Sequence, residues 1–138
     1  MKSRVKDLRI VALILLSLCL LLAAGCRTAP VRNVTNAPIM TVENTAPDLQ
    51  KVRGAIIKAG AGNGWQMNPV QDGLIIGTLN IRTHQAVVNI NYDTKTYSIT
   101  YKDSLNLKYN GSTIHSNYNG WVTNLDNAIK RELAELKQ

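Results

Sequence analysis

Apolar side chains recur along this chain with two periods, and each predicts a different element. Leu49, Val52, Ile56 and Ala59 stand three and four residues apart, with Gln50, Lys51, Arg53 and Lys58 largely opposite them, a spacing that predicts a helix. Thr45 followed three residues later by Asp48 resembles a capping arrangement, Pro47 suits a first turn, and Gly60, Gly62, Asn63 and Gly64 are expected to end the helix. This glycine-rich segment follows a helix and opens a strand, the reverse of a phosphate loop, so it reads as a cap and turn. Trp65 and Met67 then begin a short strand that Pro69 is expected to end, and Asp72-Gly73 reads as a tight turn. Ile75, Gly77, Leu79 and Ile81 alternate with Thr78, Asn80 and Arg82, Ile76 being the exception. Ala86, Val88, Ile90 and Tyr92 repeat the pattern, as do Tyr97, Ile99 and Tyr101 after a turn at Asp93, Thr94 and Lys95. The last element returns to helical spacing: Trp121, Leu125, Ala128, Ile129, Leu133 and Leu136 form a stripe that Asn117 or Asn119 could cap. The order helix, strands, helix predicts an α+β two-layer sandwich. An antiparallel β-meander of three to five strands carries the N-terminal and C-terminal helices on one face, with Trp65 and Trp121 in the core.

A different pattern occupies the N-terminus. Lys2, Arg4, Lys6 and Arg9 precede a 13-residue apolar run from Ile10 to Leu22. That is within the range of about 7 to 15 residues for a secretory leader, and short of the ~20 needed to span a membrane. Ala23, Ala24 and Gly25 lead into Cys26 and resemble the bacterial lipobox, with Ala23 standing where that pattern prefers Leu. The resemblance implies that residues 1–25 are a signal peptide, cut before Cys26, and that the Cys26 thiol carries a covalent lipid. The alternative is an ordinary secretory leader with Cys26 a free thiol. Cys19 lies in the leader, so the mature chain has one cysteine and no intrachain disulfide. Arg27 replaces the Asp that, in such proteins, retains the product at the inner membrane, which implies an outer-membrane anchor facing the periplasm. From Cys26 to Ala46 the chain is polar and holds Pro30 and Pro38, which predicts a flexible tether, with Ile39, Met40 and Val42 an optional edge strand. The periplasmic domain is then 47–138.

Charge narrows the function classes. Without the leader's Lys2, Arg4, Lys6, Arg9 and Asp7, 12 basic and 8 acidic side chains remain, and the net charge falls from +7 to +4. These charges form no basic run, so no nucleic-acid partner is expected. Read together, His84, Ala86, Val88, Tyr92, Tyr97 to Tyr101, Ser104, Asn106, Leu107, Ile114-His115, Tyr118-Asn119, Trp121, Asn124 and Leu125 resemble a group of small proteobacterial lipoproteins of unassigned function. The resemblance implies an envelope location and no reaction. Size and anchor are also similar to the accessory lipoproteins of the outer-membrane barrel-assembly machinery, an analogy of architecture alone.

Chemical constellations are sparse. Ser104, His115 and Asp103 form no nucleophile elbow, His84 and His115 are far apart in sequence and too few for a metal motif, and the carboxylates are dispersed. No catalytic residue, metal or cofactor beyond the Cys26 lipid is expected. The connection from Asp103 to Asn119 admits two readings. Leu105, Leu107 and Ile114 plug the core around an Asn110-Gly111 turn, or Tyr109, His115 and Tyr118 form a recognition surface beside Trp121. The favoured function is a noncatalytic envelope binding or assembly module for a protein or cell-wall partner. The alternatives are a small-ligand or hydrolytic domain with a pocket near this loop, and a structural protein that self-associates by edge-strand pairing. The sequence sets no oligomeric state.

Overall fold

The computed structural model describes residues 27–42 and 46–137; the segment expected to be a leader, Cys26 and Thr45 lie outside the described residues. Two short strands come first, β1 (Thr28–Pro30) and β2 (Val34–Pro38). Helix α1 (Leu49–Gly62) follows, then β3 (Gln66–Gln71), β4 (Leu74–Ile81), β5 (His84–Tyr92), β6 (Thr96–Leu105) and β7 (Thr113–His115), and α2 (Ser116–Ala134) comes last. Strands β3 to β6 form the expected meander, and β2 adds beside β6 to complete a five-stranded sheet in the order β2-β6-β5-β4-β3. Strands β1 and β7 form a second, two-stranded sheet. All pairings are antiparallel, and the fold is α+β.

Alternation places the core as expected. Ile75, Leu79, Ala86, Val88, Ile90, Tyr97 and Ile99 are buried on the face that meets Val52, Ile56 and Ala59 of α1 and Val122, Leu125, Ile129 and Leu133 of α2. Trp65 is buried against the sheet because Gly77 leaves room for it: a Cβ there would stand 3.3 Å from the indole and 3.2 Å from Val88. Gly73, at φ +82, turns the β3–β4 hairpin.

Several expectations change. The segment read as a tether holds two strands between residues 28 and 38, because Val34 and Ala37 are spaced to reach the core while the polar residues between them pair with the sheet edge. Asn33 Oδ1 accepts from Tyr101 N at 3.0 Å, and Asn36 N donates to Ser98 Oγ at 2.9 Å. The edge strand falls at 34–38 rather than at Ile39 to Val42, and it precedes α1, so the described residues open on strands rather than on a helix. Asp48 caps α1, accepting from Gln50 N at 2.8 Å, and the helix continues through Gly60, where Met67 fills the space of a side chain. Pro69 does not end β3, since an edge strand can leave one N–H side unpaired, and the register shifts between Pro69 and Gln71. Trp121 is only half-buried, and Tyr118, one turn earlier, and the adjacent Val122 take the core positions.

One buried carboxylate ties these layers together. Asp126 on α2 is 2% exposed; its Oδ1 accepts from Tyr97 Oη at 2.6 Å, and its Oδ2 lies 2.8 Å from Lys130 Nζ and 3.9 Å from Arg32 Nη2. Asn119 clasps the same N-terminal segment, accepting from Arg32 N at 2.9 Å and donating to Pro30 O at 2.8 Å. An unpaired buried charge is strongly unfavourable, so each partner here is a condition of the others.

Three expectations follow from this packing. A chain starting at Ala46 lacks the strand that covers β6, and should melt well below one starting at Arg27 in a thermal scan; equal melting temperatures would refute the structural role of β2. Tyr97→Phe, which deletes a hydrogen bond to a charged group, should destabilise by about 1.5 to 3 kcal/mol in urea unfolding. Burial, reinforced by the bond to Asp126, raises the Tyr97 phenol well above its ordinary value. Its stability contribution is thus whole below pH ~10 and is lost as pH rises beyond that, a decline that Tyr97→Phe should lessen.

Candidate functional site

The connection between β6 and β7 becomes short once its strands are seen. Asn106 and Lys108, at φ 56 and 53, both adopt left-handed backbone, and the two reversals turn Leu107 inward. Leu107 and Ile114 are buried and fill the end of the core, whereas Leu105, expected to join them, is 57% exposed. Asn110 Oδ1 accepts from Ser112 N at 3.1 Å and Thr113 N at 2.8 Å, which closes the turn into β7.

The three residues singled out as a recognition surface fare differently. Tyr118 is fully buried and cannot meet a partner; its hydroxyl has no hydrogen-bond partner among the described residues, and burial raises its phenol well above the ordinary value. Tyr109 is 41% exposed and stacks on Tyr101 with centroids 4.0 Å apart, while Tyr101 meets Tyr118 edge-on at 5.8 Å. His115 is the N-cap of α2, displacing Asn117 and Asn119 from that role: its Nδ1 accepts from Asn117 N at 3.2 Å, and its backbone N–H donates to Leu107 O at 2.8 Å.

The fold also brings His84 to His115, with ring centroids 6.2 Å apart, a proximity that sequence distance hid. Each ring already has a task at Nδ1, since that of His84 bonds Asn106 O at 2.8 Å. Among the described residues no group of three or more His, Cys, Asp or Glu side chains could hold a metal. The imagined triad is not assembled: Ser104 Oγ bonds Tyr101 Oη at 3.0 Å, and Asp103 Oδ1 accepts from Ser104 N at 2.8 Å.

A polar cleft of about 280 Å³ lies at the other end of the sheet, lined by Asn36, Gly73, Asn91, Tyr92, Asp93, Thr96 and Ser98. Asn36 stands at φ 48, its amide held by Ser98. The Asp93 carboxyl lies below its ordinary value because its Oδ1 accepts from Thr96 N and Lys95 N, each at 2.6 Å. Sequence reading missed this cleft because Asn36 fell in the supposed tether and Asn91, Thr96 and Ser98 read only as the wet side of strands. An apolar hollow of about 270 Å³ lies between Pro38, Met40 and the end of α2 at Lys130, Leu133 and Ala134.

The capping role of His115 is open to measurement. His115→Ala should destabilise by about 0.5 to 2 kcal/mol, and His115→Asp, which restores an acceptor, should recover most of that loss in urea unfolding. Equal loss in both variants would mean that the ring acts by packing rather than as a cap. Comparison of the chain with family models, curated proteins and solved structures finds no match in any of the three.

Proposed function

We propose that this chain is a lipid-anchored protein of the bacterial envelope, held to the outer membrane through Cys26, whose domain is a noncatalytic binding module. The observation that carries the anchor is the apolar run from Ile10 to Leu22 ending on Ala23-Ala24-Gly25-Cys26, one residue before the described fold begins. The wet face of the sheet supports the binding role. By register, Asn68, Ile76, Asn89 and Thr100 form one row across it, Gln66, Thr78 and Val87 a second, and Leu74, Asn91 and Ser98 a third. This face is rich in amides and hydroxyls, and the row of Asn91 and Ser98 leads into the cleft at Asn36. Such a surface suits a hydrated, hydrogen-bonding partner, and the cell-wall polymer fits better than a hydrophobic protein surface.

A second reading, small-ligand binding, moves from the neighbourhood of His115 to this same cleft, whose size and converging amides favour it. Self-association by strand addition is disfavoured because both sheet edges are blunted: β2 ends on Pro38 and β3 contains Pro69, and each has an irregular register.

Growth with labelled palmitate should label the wild-type protein and not Cys26→Ser. A wild-type chain that takes up no label and fractionates away from membranes would refute the anchor. For the binding role, the mature Cys26→Ser protein should cosediment with purified cell-wall sacculi, and Asn91→Arg should reduce the bound fraction several-fold. Binding unaffected by Asn91→Arg would remove the sheet face from the account.

A further inference from the structure

The residue after Cys26 is not the start of a loose tether. Arg27 O accepts from Ser116 N at 2.7 Å, and Thr28 pairs with His115, so the chain is fastened to the domain at once. Everything near that attachment belongs to one end of the molecule. The β4–β5 turn at Arg82 and Thr83 touches the β6–β7 connection, with Asn106 Nδ2 donating to Thr83 O at 2.7 Å and His84 bonded to Asn106 O. The connection in turn meets β7 through His115 and Leu107, and β7 leads into α2.

Among polar side chains such as Thr83, Asn106, Asn110 and Ser112, this end offers solvent two further kinds. Arg27, Arg82 and Lys108 are exposed and take part in no ion pair among the described residues. Leu105 is 57% exposed and Tyr109 41% exposed, the one aliphatic and the other an aromatic ring with a polar tip. Lys102 lies set back at the irregularity between β5 and β6, beside the acid at this end, Asp103. The opposite end has no such surplus: Asp48, Asp72, Asp93 and Glu135 are balanced by Lys51, Arg53, Lys95 and Lys137, with Arg53 paired to Asp72 at 3.7 Å. Gln50 to Asp72 and Lys51 to Lys137 O bring these groups together.

We propose that the end bearing Arg27, Arg82, Lys108, Leu105 and Tyr109 rests on an anionic lipid surface, so that the domain is held in one orientation with the charge-balanced end and the polar cleft turned away. The inference rests on the reading of Cys26 as lipidated, because that anchor would place acyl chains one residue from the Arg27 attachment. Basic side chains near an anionic leaflet add to what one anchor supplies, and a leucine and a tyrosine at the same level suit the interface between headgroups and acyl chains.

The test uses the lipidated mature protein, in which acylation of Cys26 leaves no free thiol. Single cysteines introduced as Leu105→Cys and Thr94→Cys are labelled with bimane in vesicles of phosphatidylethanolamine and phosphatidylglycerol at three to one, containing brominated acyl chains. Quenching should be several-fold stronger at position 105 than at 94, and the double variant Arg82→Glu with Lys108→Glu should narrow that difference. Equal quenching, or stronger quenching at 94, overturns the orientation. If the mass of the membrane-extracted protein shows no lipid on Cys26, the anchoring reading fails by itself, and the surface is judged on the mature Cys26→Ser chain. At low salt that chain should float with phosphatidylglycerol vesicles and not with phosphatidylcholine vesicles. The double variant should bind at least about tenfold less, as two reversed charges near the surface would require. Flotation that ignores lipid charge or the double variant overturns the proposal.

Discussion

The carboxylate of Asp126 is the constraint on which the arrangement of layers depends. An ionised group with almost no access to water can be kept only where its partners are fixed, and here they come from separate parts of the chain: Tyr97 from the sheet, Lys130 from its own helix, Arg32 from the segment before β2. The apolar stripe of α2 could bury itself against the sheet in more than one rotation. The Tyr97 to Asp126 bond admits one, and that rotation brings Asn119 to Pro30 and Arg32, and hence β1 to β7.

That dependence also explains why the first strands were hard to foresee. The meander from β3 to β6 was legible because each strand alternates apolar and polar positions over seven or more residues, or is bounded by Asp72-Gly73 and Asp93 to Lys95. The helices were legible in their stripes. Strands β1 and β2 are three and five residues long, and only Val34 and Ala37 among them are buried. Their order comes from side chains reaching across the fold, Asn33 to Tyr101, Asn36 to Ser98 and Arg32 to Asp126, and such long-range bonds leave no local period.

The candidate site was partly legible for a related reason. Tyr109, His115 and Tyr118 were singled out as a recognition surface, yet Tyr118 is fully buried, and what the connection exposes depends on the turns at Asn106 and Lys108. Those turns send Leu107 and Tyr118 inward, leave Leu105 and Tyr109 outside, and give His115 a cap to serve. Spacing along the chain cannot tell these outcomes apart. The polar cleft was illegible because no single element makes it; it arises where β2 meets the β5–β6 turn.

The pairing of β1 with β7, and of Val34 with Ile99, joins the beginning of the described chain to strands far along it. Contacts so distant in sequence form late, because a long loop must close before they give any return. In a polypeptide that emerges from a ribosome or a translocation channel with its N-terminus leading, residues 27 to 38 stay undocked until β6, β7 and the first turn of α2 have followed. Until then the outer edge of β6 and the Ser116 N–H stay without the partners that β2 and Arg27 bring, so the last step of folding is the one that covers the sheet edge and fastens residues 27 to 38 across the finished domain.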